Sequence, residues 1–163
     1  MIDFYPPRSH MPGFAEAMKL HGSLAQCLAL EAALKVELND ERFLPNIQLH
    51  EFEALLFVNP HQIGAFLDIA GKFDQLANDC KLCGGPEAVN SGQHSAPPKR
   101  IAQDVDSFPK PFGALVAADI GLPALRAECP HFNSWLTTLE QPGNPHLQST
   151  VSITRVLPIG KFG

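Results

Sequence analysis

Residues 47–60 read IQLHEFEALLFVNP. Leu49, Phe52, Leu55, Leu56 and Phe57 form an apolar set, yet His50, Glu51 and Glu53 stand inside it. Burying an unpartnered carboxylate is costly, so such groups are normally paired, protonated or bound to a cation. Glu51 and Glu53 fall where an apolar, β-prone run ("RFLPNIQLH", residues 42–50) gives way to a helical one ("EFEALLF", residues 51–57). A strand-to-helix junction of this kind is where side chains converge at the end of an open sheet.

Working outward, the chain opens with "MIDFY", a second β-prone run stopped by Pro6-Pro7. From Ser23, a plausible N-cap, Leu24, Cys27, Leu28, Leu34 and Leu38 recur near helical spacing, and Asn39-Asp40 ends the pattern. The order strand, helix, strand, helix predicts an α/β unit with parallel strands. Short helices are expected around residues 61–70, 72–79, 97–105, 111–121 and 122–140. The breaker "QPGNP" opens residues 141–163, read as a late strand or a tail. A chain of 163 residues with 45% hydrophobic content suits one domain with a sizeable core.

Composition excludes several classes of function. A net charge of -5 argues against a generally basic nucleic-acid coat, but leaves room for a local phosphate site. No apolar run approaches the roughly 20 residues of a membrane span, and the N-terminus lacks the pattern of a signal peptide. The expectation is a cytoplasmic protein with its four cysteines reduced.

The chemistry-bearing residues fall into three groups. His50-Glu51 suggests the zinc-protease pattern H-E-x-x-H, but residue 54 is Ala54 and the pattern fails. With Asp3 ending a neighbouring parallel strand, Asp3, Glu51 and Glu53 would instead meet at the sheet's carboxyl edge, where Mg²⁺ would neutralise them. The competing reading makes Glu51 and Glu53 solvated acids of a first helical turn. In "SAPPKRIAQDV" (residues 95–105), Lys99 and Arg100 fall in a first helical turn, which suits a phosphate or a pair of solvated surface charges. Cys80 and Cys83 make half of a zinc knuckle without a second half; isolated reduced cysteines are the simpler reading. His131 and Trp135 are read as helix packing.

The stretches "MIDFY", "RFLPNIQLHEFEALLF", "PEAVNSGQHSAPPKRI" and "IGLPALRAECPHFNSWLTTLE" occur in this order. Together they resemble an uncharacterised bacterial domain-of-unknown-function family, RloG-like and related to Toprim domains, over residues 1–140. "HEFEALLF" (residues 50–57) is its most diagnostic piece. The resemblance implies a partial Toprim-like parallel sheet with a helical C-terminal half. It also implies a Mg²⁺-dependent phosphodiester nuclease, encoded beside an ATPase in defence or restriction loci. Asp3 matches the first acid of the Toprim D-x-D element, but Tyr5 stands at the second, so Glu51 or Glu53 would supply that charge. Family members carry a leading segment with an E-G-x-T-E-like motif that this sequence lacks. The implied site is therefore Glu51, Glu53, Lys99 and Arg100 acting with a metal on Asp3, Glu51 and Glu53, in a subunit inactive alone. A non-catalytic interaction module or remnant that binds a partner ATPase is the alternative, and an unpaired strand edge or uncovered apolar face would favour a homo-oligomer.

Overall fold

The computed structural model describes residues 2–3, 9–69, 73–89, 101 and 110–141, with residues 2, 3 and 110 described by their backbone alone. β1 (Ile2–Asp3) leads to α1 (Phe14–Ala17) and α2 (Ser23–Leu38), then to β2 (Ile47–Gln48). A 3₁₀ helix (Phe52–Val58) follows, then α3 (Pro60–Phe66) and α4 (Asp74–Cys83). The last described elements are α5 (Lys110–Ile120), α6 (Leu122–Glu128) and α7 (Pro130–Leu139).

The expected α/β fold, a partial Toprim-like parallel sheet, is corrected by this arrangement. Among the described residues the fold is mostly helical, and β1 and β2 contribute two residues each. They pair in parallel, Ile2 with Ile47 and Asp3 with Gln48. On its other edge β2 cannot extend the sheet, for a physical reason. Within a strand the N–H and C=O of one residue point to the same side, and both groups of Ile47 are taken by side chains. Its N–H donates to Glu31 Oε1 at 2.6 Å, and its carbonyl accepts from His131 Nε2 at 3.2 Å. No further strand can bond to groups already used.

Helix ends follow local chemistry. α2 stops at Asn39, which takes the left-handed conformation (φ 43°) common at C-caps. The single helix expected over 122–140 is split, because Pro130 cannot continue α6 and instead opens α7. Arg126 then ties the two pieces together, donating to Asn133 Oδ1 at 2.6 Å, to Glu140 at 2.7 Å and to Thr137 Oγ1 at 3.0 Å. At Gly13 (φ 72°) a Cβ would stand 2.6 Å from that of Ala33, so glycine lets the start of α1 lie against α2.

Residues 47–60 join three apolar clusters. Ile47 and Leu49 pack with Ala17, Cys27 and Leu30. Leu55 packs with Leu125, Cys129 and Phe132. Leu56 and Phe57 enter the largest cluster, with Ile63, Phe73, Leu76 and Val116. At three residues per turn, a 3₁₀ helix puts Phe52, Leu55 and Val58 on one face, and all three belong to the cluster built on α6 and α7. Asn59 ends that helix because it precedes Pro60, where the α conformation is disfavoured. Among the described residues no helix is long and apolar enough to cross a membrane.

Phe57→Ala should therefore cost about 3–5 kcal/mol, because it empties the centre of the largest cluster. Leu82→Ala, at a position 85% exposed, should stay within about 0.5 kcal/mol of the native chain. Chemical unfolding of both variants measures the contrast.

Candidate functional site

The junction after β2 is built on a bend. His50 is buried, yet its backbone takes φ 71°, a left-handed conformation uncommon for a residue with a Cβ. Its ring holds the bend, because Nε2–H donates to the Glu87 carbonyl at 3.2 Å. Burial lowers the His50 pKa below its ordinary 6.5, with that hydrogen bond partly opposing the shift. Glu51 follows in extended conformation, and the 3₁₀ helix begins with Phe52 and Glu53. Both acids are partly buried at the rim of the core.

Glu87 secures a second element. Cys129, the N-cap of α7, provides no side-chain cap, so the first amides of that helix need another acceptor. The Glu87 carboxylate accepts from His131 N and Phe132 N, each at 3.0 Å. An anion here also meets the favourable end of the helix dipole. His131, held in this way at its backbone, reaches Glu31 Oε1 at 3.1 Å and the Ile47 carbonyl at 3.2 Å with Nε2. With acceptors on both sides, Nε2 carries the proton and shares it. The His131 pKa is raised, first by its hydrogen bond to Glu31 and against the effect of burial.

The thiols of this region are silent. Burial, followed by the Glu31 and Glu87 charges, pushes Cys27 up to about 12. Burial and the charges of Glu87 and Glu128 do the same for Cys129. Neither ionises near neutrality by itself, which makes both poor nucleophiles.

The expected residues separate as follows. Glu51 and Glu53 lie at the β2 junction, and the backbone of Asp3 is in register with Gln48, three residues before Glu51. The Asp3 side chain, Lys99 and Arg100 all lie outside the described residues. Cys80 is buried and Cys83 exposed on α4. Among the described residues no three His, Cys, Asp or Glu side chains are grouped to hold a metal ion. Three positions of the hydrogen-bonded network around the site escaped the sequence reading: Glu31, Glu87 and the role of His131. Only Glu31 left a signal, as a carboxylate beside Leu30 and four residues after Cys27 on the buried face of α2.

A family described as a domain of unknown function (DUF4276) matches residues 1–140, and the chain belongs to that family. No curated protein and no solved structure matches it.

The two histidines give opposite pH dependences. The raised pKa of His131 makes its contribution complete below pH 6.5 and lost as pH rises through the raised value. The lowered pKa of His50 makes its contribution complete above pH 6.5 and lost as pH falls through the lowered value. Thermal melts across pH should show His131→Gln removing the loss on the alkaline side and His50→Gln the loss on the acid side. Glu87→Ala, which strips two helix amides of their acceptor, should cost about 2 kcal/mol and lower Tm by several degrees.

Proposed function

We propose that this DUF4276 chain is a cytoplasmic nuclease subunit that cuts phosphodiester bonds of nucleic acid with Mg²⁺ and needs a partner polypeptide, such as an ATPase of a defence or restriction system. The observation that supports this reading is the parallel register of Asp3 with Gln48, which brings both strands out at the same end, beside the His50–Glu51 bend. Its acid set is in this respect related to that of Toprim and RloG-like proteins. Asp3, Glu51 and Glu53 are the residues that would hold the ion. They offer the hard oxygen donors Mg²⁺ prefers, and Mg²⁺ takes only one or two carboxylates beside its waters, so a small set fits. When bound, the ion supplies charge neutralisation and polarisation at the scissile phosphate.

The chain's own residues do the positioning. The left-handed bend at His50, held by the Glu87 carbonyl, fixes where Glu51 leaves the strand. The 3₁₀ helix fixes Glu53 two residues further on, in its first turn. In this reading Lys99 and Arg100 grip the phosphate, Arg100 as a planar fork and Lys99 as a point charge.

A specific observation favours a second reading, a non-catalytic module that docks on an ATPase. Leu24, Leu28 and Val36 lie four and eight residues apart on α2, on one helical face, and are 48%, 49% and 79% exposed.

Single- and double-stranded DNA and RNA, incubated with the chain, Mg²⁺ or Mn²⁺ and the partner ATPase, test both readings. Cleavage should require metal and partner, fall at least a hundredfold in Glu51→Gln and fall less in Lys99→Ala. Cleavage that survives chelation, or that Glu51→Gln leaves intact, rules out the nuclease. Complex formation without cleavage, abolished by Val36→Asp, establishes the docking module.

A further inference from the structure

A cleft of about 180 Å³ lies between α2 and α7, and it is lined by Leu28, Glu31, Lys35, Asn46, His131 and Trp135 among others. Asn46 is only 3% exposed, and neither its Nδ2 nor its Oδ1 has a hydrogen-bond partner. Leaving both a donor and an acceptor unmet inside a protein is costly and rare, and a leucine of similar volume would avoid the cost. An amide placed in this way has a donor and an acceptor available for a ligand of matching polarity.

The rest of the lining identifies the visitor. Trp135 is fixed in place, its indole N–H donating to the Leu44 carbonyl at 3.3 Å and its ring packed on Phe132 at 6.1 Å. A held indole is a stacking wall for a flat ring. An Asn side chain presents a donor beside an acceptor, the pattern that pairs with N7 and the N6 amino group of adenine. The cleft volume equals about six waters at roughly 30 Å³ each, room for one bicyclic base in their place. Lys35 and Ser134 are exposed at the rim while the Asn46 amide lies beneath the surface, so admitting a base requires the cleft to widen.

We propose that the α2–α7 cleft binds an adenine base, read by the Asn46 amide and stacked on Trp135. Nδ2 donates to N7, and Oδ1 accepts from the N6 amino group. This site does not depend on the nuclease reading, and its test involves no cleavage.

Trp135 is the chain's single tryptophan, so its emission reports on the cleft alone. Adenosine titrated into the full chain should change that emission saturably. Purine riboside, which lacks the N6 amino group, should bind about tenfold more weakly or worse. Asn46→Leu should lose adenosine binding while melting as cooperatively as the native chain and at the same or a higher temperature. Should Asn46→Leu fail to fold, Asn46→Asp keeps the shape without the donor and should lose binding as well. No saturable change at millimolar adenosine, equal affinity for purine riboside, or nicotinamide binding as tightly as adenosine would overturn the assignment.

Discussion

The Glu31 carboxylate, the His131 ring and the backbone of Ile47 form one hydrogen-bonded unit, and most of the fold depends on it. Glu31 Oε1 takes the Ile47 N–H at 2.6 Å and lies 3.1 Å from His131 Nε2, which also serves the Ile47 carbonyl. A polar backbone edge of this kind must be satisfied when it is buried. Here side chains from α2 and α7 satisfy it, and that choice keeps any further strand from bonding to Ile47 on that edge. It also fixes α2 and α7 on the same side of β2, which creates the cleft holding Asn46. The pair is nearly closed to water, with side chains 6% and 12% exposed, so losing one partner would leave a buried charge behind.

Glu87 extends this unit to the bend. Its carboxylate fixes the start of α7, and hence His131, while its carbonyl holds the His50 ring. One residue thus couples the orientation of a distant helix to the position from which Glu51 and Glu53 depart. The positively twisted backbone at His50 is the kind of local strain that a surrounding structure must over-determine. The hydrogen bond donated to the Glu87 carbonyl and the burial of the neighbouring Leu49 and Ala54 supply that restraint.

The apolar residues of 47–60 have a similar double use. They bind three separate clusters into one body, which explains why the segment reads as core. Its acids are carried at the rim of that core, partly buried, beside a bend fixed from elsewhere in the chain. His50, by contrast, is a structural histidine of neutral character, held by burial and a backbone carbonyl.

The sequence by itself determined several helix boundaries. The end of α2 at Asn39 and the break at Asn59 before Pro60 both follow from residue types whose backbone preferences act within a few positions. The apolar set of "HEFEALLF" was legible as core for the same reason. The extent of the sheet was not legible, because it is decided by side chains 16 and 84 residues from Ile47 in the chain. β-prone residues in "RFLPNIQLH" record a preference, but a strand needs a partner edge, and that edge is occupied. Glu87 reaches α7 across 44 residues, a contact with no periodic or spacing signature. Only the tertiary structure decides such pairings, since the free energy of a buried hydrogen bond depends on which groups the packed helices bring within reach.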